Sequence, residues 1–376
     1  MKLEKRTVKK INFKKISLIS SVLLLLFALL LAGCSAKQET KQTQNQKIKV
    51  GVMLPLSGDA ASYGVSVQKG IELAKKDLKN DNVELVYEDS KCNAKDAVAA
   101  MTKLATVDGV KAVIGEVCSS ATLPAAPIAN QYEVVLISPS ATSPKLTDAG
   151  DYIFRVVPSD ALQGDFAANL ISKKGFKKLA VLHTNEDYGL GFATVLQDSF
   201  KKLGGEVASV QKMNSGETDL RTQLLKIKES NPDAISIASN SPDSSAAALK
   251  QIKELGIKAQ IFGSEALYGQ TIIDAAKDAA EGLTVTSVTS GTTDFAAKFK
   301  AEYKTDVTPF SAQGYDCMTA VGLAIQQGAL SGKEIKDKLY ATEFTGATGK
   351  VKFESSGDVP GNYDIYTVVN GKWVLQ

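Results

Sequence analysis

The chain has 376 residues, with 44 Lys and Arg against 41 Asp and Glu, four Cys and one His. The length suits two domains of ordinary size. A single histidine excludes a His-rich zinc centre. The small basic excess sits wholly in the first 33 residues, so no nucleic-acid partner is implied.

The chain opens with Lys2, Lys5, Arg6, Lys9, Lys10, Lys14 and Lys15 against one acid, Glu4, and continues in an apolar run over residues 16–32. A basic start before a short apolar core is an export signal. It closes on Leu31-Ala32-Gly33-Cys34, which resembles the bacterial lipobox, cleaved before a cysteine that is then acylated. The alternative is an uncleaved membrane anchor; both tether the remainder outside the membrane. Taking residues 1–33 away turns the formal charge from +3 to −3. Residues 34–47 form the anchored tether: after Cys34 they carry no large apolar side chain until the core begins and are expected to be flexible. Thirteen such residues reach roughly 20 Å r.m.s..

Strands and helices then alternate. A strand is predicted at 48–54, a turn at Pro55-Leu56-Ser57-Gly58, and a helix from about Gly64 with Val67, Ile71, Ala74 and Leu78 on one face. Strands follow at 83–87, 110–114, 134–137 and 152–157, with a helix at 96–105 and another between the third and fourth strands. This order predicts α/β architecture with a parallel sheet covered on both faces. Pro158-Ser159-Asp160 reads as a crossing into a second lobe. The alternation restarts there, with helices at 160–173, 191–203, 220–228 and 246–255 and strands at 178–183, from Val207, at 234–238 and at 260–263. Residues 283–287 are β-rich where a crossing back is needed, and helices at 295–303, 312–327 and 335–340 return to the first lobe. Short strands close the chain, and Asn370-Gly371 pairs 366–369 with 372–375. The lobes are thus assigned as 48–158 plus 288–358, and 159–287 plus 359–376. A cleft between two such lobes is a favoured small-molecule site.

Residues 113–144 concentrate the chemistry. Ser119 and Ser120 follow one buried strand, and Ser140-Ala141-Thr142 follow the next. Ligands of open parallel sheets bind just beyond the carboxyl ends of the strands, where helix N-termini favour anions. The pattern reads as a carboxylate cradle; helix capping by the same hydroxyls is the alternative. Cys92 and Cys118 follow adjacent candidate strands in an oxidising compartment and are read as a disulfide, reduced thiols being the alternative. In the chain-entropy model a loop of that size contributes roughly 3 kcal/mol. Cys317, in an apolar helical pattern, reads as a free buried thiol.

A catalytic kit is missing from the sequence. His183 would have to serve any Ser-His-Asp triad, and no Gly-x-Ser-x-Gly elbow accompanies it. Gly189-Leu190-Gly191 imitates a dinucleotide fingerprint, but Thr194 stands where the third glycine belongs. No Walker A pattern, metal site or cofactor is expected, and the chain is read as no enzyme.

Leu31-Ala32-Gly33-Cys34, Leu56-Ser57-Gly58 with Tyr63-Gly64, Gly115 with Cys118-Ser119-Ser120, Ile137-Ser138-Pro139-Ser140-Ala141-Thr142, Asp187-Tyr188-Gly189 and Gly314-Tyr315-Asp316 occur in a familiar order. From Ile48 onward the chain resembles type I periplasmic binding proteins, specifically the lipoproteins that bind branched-chain amino acids for ABC importers. The resemblance implies two Rossmann-like lobes, three crossovers, and a free Leu, Ile or Val trapped on closure and delivered to a permease with its ATPase subunits. It implies that Ser119, Ala141 and Thr142 hold the α-carboxylate and that Glu265 receives the α-ammonium. Tyr63 and Tyr188 would close over the ligand from opposite lobes; Val117, Cys118 and Phe310 would line its side-chain pocket. Where enteric members carry a tyrosine, this chain has Ser239-Asn240-Ser241; Ser241 there and Ser140 of the cradle are further candidate contacts. A monomer anchored by lipid on Cys34 to the outer face of the bacterial cell membrane is expected. Rival readings are a binding protein for another small amino acid, an amide, urea or an aromatic acid, and a ligand sensor needing a separate signalling partner.

Overall fold

The computed structural model describes residues 47–376; the export segment, the Cys34 lipidation motif and most of the tether lie outside the described residues. Strands β1 (Ile48–Leu54), β2 (Val83–Asp89), β3 (Ala112–Gly115), β4 (Val135–Ser138) and β5 (Ile153–Arg155) pair in the order β2-β1-β3-β4-β5, all parallel. Val52, Ile114 and Ile137 lie opposite one another across three strands and are fully buried. Burying each such side chain contributes roughly 1.5–3 kcal/mol. Helices α1 (Ala61–Asp77), α2 (Ala94–Lys103) and α3 (Ser119–Gln131) join these strands. Along α1, Val67, Ile71 and Ala74 are buried, as the 3.6-residue period requires.

Close approach of β1 to β3 depends on Gly115. Its φ is +138°, and a Cβ there would lie 2.0 Å from the Met53 carbonyl oxygen. Glycine is the residue that tolerates both conditions. Cys92 and Cys118 are disulfide-bonded with Cα atoms 5.5 Å apart, joining the loop after β2 to the loop after β3.

The second lobe contains α4 (Asp160–Lys173), β6 (Lys178–Thr184), α5 (Asp187–Lys202), β7 (Glu206–Met213), α6 (Arg221–Glu229), β8 (Ala234–Ala238), α7 (Pro242–Glu254), β9 (Gln260–Gly263), α8 (Gln270–Ala276) and β10 (Thr284–Ser287). The chain then returns: α9 (Thr293–Tyr303), α10 (Ser311–Gln326) and α11 (Gly332–Ala341) are followed by the antiparallel hairpin of β11 (Glu343–Gly346) and β12 (Gly349–Lys352). Gly70 of α1 packs against the Ser311 backbone of α10, where a Cβ would meet a carbonyl at 1.9 Å. Finally β13 (Asp364–Val369) and β14 (Lys372–Leu375) join the second sheet, in the order β14-β13-β10-β9-β8-β6-β7. The sheet is parallel from β7 to β10 and antiparallel beyond: β13 enters beside β10 on the chain's return from β12, and a tight turn at Asn370-Gly371 leads from β13 to β14.

Several elements refine or depart from the sequence reading, and β11 (Glu343–Gly346) had no counterpart in it. α8 had no counterpart there: seven residues with Ile272, Ile273 and Ala276 inward are too short for periodicity to declare. The β-rich residues 284–287 form an interior strand, so the crossing back begins after them. β5 keeps three of six residues, since Arg155 and Val156 bond the Gly357 and Ser138 carbonyls as the chain leaves the sheet.

Candidate functional site

Strand order reverses beside β1 in the first sheet and beside β6 in the second. Both switch points open a crevice at the carboxyl ends of their strands. The two crevices face each other across an interlobe cavity. From the first lobe come Tyr63 of α1, Val117, Cys118 and Ser119 after β3, Ser140 after β4, and Phe310 before α10. From the second come Tyr188 at the start of α5, Asn240 after β8, and Glu265 and Ala266 after β9. Tyr63 and Phe310 meet edge to face at 5.8 Å between centroids, forming an apolar wall.

One end of the cavity suits an anion. The residue before α3 is Cys118, which offers no side-chain cap, so the first turn carries no such partner. Ser119 does not cap the helix; its hydroxyl oxygen accepts the Ser143 N–H at 3.1 Å. The hydroxyl of Ser140 donates to the Val117 carbonyl at 2.8 Å. Thr142 donates its hydroxyl to Asp160 at 2.8 Å. Capping is therefore not what occupies these hydroxyls. Ser119 and Ser140 stitch the two strand-end loops together around a helix N-terminus, and Thr142 ties the second loop to α4.

The opposite end suits a cation. Glu265 is 3% exposed, and burial pushes its carboxyl up to about 7 despite the polar neighbours Tyr188 and Gln163. Asp160, fully buried at the start of α4, is raised well above the usual carboxylate range, first by burial and then by the charge of Glu265, against the Thr142 hydroxyl and Arg155. Glu265 Oε2 and Asp160 Oδ1 are both buried without a hydrogen-bond partner. Two electrostatically linked carboxyls in a dry site disfavour double ionisation; a bound ammonium reverses that preference. No group of three or more His, Cys, Asp or Glu among the described residues is arranged to hold a metal ion.

The lobes are in contact across the cleft. The Tyr63 hydroxyl donates to the Ala266 carbonyl at 2.8 Å, and Lys145 pairs with Asp187 at 2.7 Å. On the second lobe the Tyr188 hydroxyl donates to Ser264 at 2.6 Å.

The structure brings Tyr63, Val117, Cys118, Ser119, Ser140, Tyr188, Glu265 and Phe310 to the cavity wall. Ala141, Thr142 and Ser241 are not on it. The Ala141 N–H is directed to Ser138 Oγ at 2.8 Å and the Thr142 hydroxyl to Asp160. Ser241 is a helix cap: its hydroxyl accepts the Ser244 N–H at the start of α7, and its neighbour Asn240 reaches the wall instead. Sequence reasoning also passed over Asp160 and Gln163, reading Pro158-Ser159-Asp160 only as a crossing. Their signal was polar residues on the inward face of α4, where Asp160, Gln163 and Gly164 alternate with Ala167 and Ala168 in the buried stripe.

The chain matches the periplasmic binding protein family model over residues 47–372. It is 34% identical over 265 residues to a Leu/Ile/Val-binding protein of Citrobacter freundii, covering 68% of this chain and 72% of that one. It is 31% identical over 331 residues to a leucine-, isoleucine-, valine-, threonine- and alanine-binding protein of Pseudomonas aeruginosa, covering 84% and 88%. Among solved structures, a branched-chain amino acid transporter substrate binding protein of Streptococcus pneumoniae in complex with isoleucine superposes with a TM-score of 0.80 at 30% identity, over 88% of this chain and all of that one. A leucine binding protein of Thermotoga maritima gives 0.81 at 28% identity, over 88% and 97%. With its two facing α/β lobes and interlobe cavity, this chain belongs to the periplasmic binding protein family.

Proposed function

We propose that the protein captures a free branched-chain amino acid, Leu, Ile or Val, between its lobes and delivers it to an ABC importer. The observation that carries this reading is the pairing of opposite ends in one apolar cavity. Ser119 and the uncapped α3 terminus offer hydrogen bonds to a carboxylate, while Glu265 offers a buried carboxyl whose Oε2 has no partner to an ammonium. Between them the walls are Tyr63, Val117 and Phe310. An apolar side chain of leucine size gains roughly 1.5–3 kcal/mol on leaving water there. A site built to bond both charged ends rejects molecules lacking either one, since its buried groups are then left unpaired. Urea and simple amides supply no ammonium for Glu265, which disfavours them. The relatives that bind Leu, Ile and Val, and the isoleucine complex, support the same reading. Lipid on Cys34 would hold the monomer at the outer face of the membrane, within reach of the permease.

A thermal-shift panel tests it: the soluble fragment from Ser35 against the twenty amino acids, urea and short amides. Leucine, isoleucine and valine are expected to give the largest shifts. A panel in which only amides or urea stabilise the protein would refute the reading.

Binding is also expected to release protons. The ammonium needs an ionised Glu265, whose carboxyl in the unliganded protein stands at about 7. Leucine affinity should fall below that pH, approaching tenfold per unit for one proton. Stability of the unliganded protein has the opposite trend. Glu265 and Asp160 hold protons in the folded state at pH values where the unfolded chain has lost them, so stability falls as pH rises from about 4.5 towards 7. Titration calorimetry and urea unfolding across pH 5–8 read the two slopes; an affinity that does not change over that range contradicts the role of Glu265.

A further inference from the structure

Glu116 is a fully buried carboxylate with no part in the ligand contacts above. It lies between β3 and the wall residues Val117 and Cys118. Its Oε1 accepts the Ser90 hydroxyl at 2.6 Å and its Oε2 accepts the Cys118 N–H at 2.5 Å. Ser90 is two residues from Cys92, so this carboxylate joins the same two loops as the Cys92–Cys118 bond. The Glu116 carbonyl accepts the Ser138 hydroxyl at 2.6 Å, and Ser138 Oγ in turn accepts the Ala141 N–H. Together with Val117 to Ser140 and Ser119 to Ser143, three residues of one loop are each bonded to the next loop. No cation is among the groups acting on Glu116; burial and the nearby Asp89 push its carboxyl up to about 7, while Ser90 and the Val117 and Cys118 amides draw it down. A charge without a counter-ion persists in a dry core only where hydrogen bonds reward it.

We propose that Glu116 is a positioning residue for the carboxylate cradle: its side chain fixes the Val117–Cys118 backbone and so places Ser119 and the α3 N-terminus for the ligand. It does not touch the ligand. The proposal rests on the amino-acid reading of the cavity. A positioning shell of this kind acts on affinity because a cradle displaced by even part of an ångström loses its bonds.

Glu116→Leu fills the same space but strands the Cys118 N–H and the Ser90 hydroxyl. Glu116→Gln keeps both bonds, since its carbonyl accepts from Cys118 and its amide donates to Ser90, whose hydroxyl rotates to accept. Isothermal titration of L-leucine into the detergent-solubilised full chain is expected to show E116L weakened roughly 10- to 100-fold and E116Q within about threefold of the parent. In a double-mutant cycle, Ser119→Ala should cost much less in E116L than in the parent. Additive losses, or parent affinity in E116L, would overturn the proposal while leaving the amino-acid reading intact. A parent that binds no amino acid would overturn both. Should E116L fail to fold, Ser90→Ala removes the Oε1 donor alone and must weaken leucine about threefold or more; parent affinity in S90A then overturns the proposal.

Discussion

Replacing Glu265 by alanine is expected to abolish leucine binding while leaving the unliganded protein as stable as its parent, or more so. The two halves of this expectation have one cause. Glu265 is buried, leaves Oε2 without a partner, and adds charge repulsion to Asp160. In the unliganded protein it is a cost, because burying an uncompensated carboxyl is unfavourable. Removing it relieves Asp160. With ligand present the position changes sign: the ammonium supplies the missing opposite charge, and truncating one partner of such a pair typically costs 2–5 kcal/mol of affinity, or roughly 30- to several thousand-fold. Titration calorimetry and thermal unfolding of E265A check both halves. A variant that binds leucine like the parent would remove Glu265 from the site. One that is strongly destabilised without ligand would make it a structural residue instead.

Arg155 carries the largest expected effect on stability. It is 1% exposed, at the end of β5. Its guanidinium donates to both Asp358 oxygens at 2.6 and 3.0 Å, to the Ser143 carbonyl at 2.9 Å and to the Thr147 hydroxyl at 2.9 Å. Asp358 lies on the segment leading from β12 to β13, so this fork ties a lobe-crossing strand to the loop that backs Ser119. Arg155→Met keeps the bulk but removes the counter-charge of Asp358, leaving it only the Thr147 hydroxyl at 2.8 Å, and removes the side-chain donor of the Ser143 carbonyl. Breaking a buried pair from one side typically costs 3–5 kcal/mol; Asp358 keeps some exposure, so about 3 kcal/mol is expected, read as a lowered urea midpoint. Arg155→Met with Asp358→Leu should recover more than half, because the stranded charge is gone. If the double variant is worse than the single, the cost lies in packing and not in the ion pair.

The two-lobed α/β architecture was legible because most of its strands are short buried runs of Val, Ile and Leu punctuated by glycine and proline, and most helices show an inward stripe at 3.6-residue spacing. The cavity wall was legible in part. Ser119 and Ser140 sit just beyond strand ends, where sheet topology puts ligands and local sequence can be read; Tyr63, Val117, Cys118, Tyr188, Glu265 and Phe310 were expected only through the family resemblance. Thr142 and Ser241 share that location yet serve other partners. Which way a hydroxyl turns is set by groups distant in sequence: Asp160 for Thr142, and the turn of α7 for Ser241. Asp160 and Glu116 were passed over for the same reason. Each matters through neighbours that only folding brings together, Glu265 for the first and Ser90 for the second. Asn240 stands in the stretch that departs from the enteric pattern and lies on the wall, while its neighbour Ser241 caps α7.

The bond from the Tyr63 hydroxyl to the Ala266 carbonyl runs between protein atoms alone. It therefore gives the shut arrangement a cohesion of its own, reinforced at the rim by Lys145 and Asp187. A trapped guest can leave only after those links part, so its dwell time follows the frequency of parting as much as the grip of the cradle. Changes far from the guest, along the rim, would then lengthen or shorten that dwell without altering a single contact to the cargo.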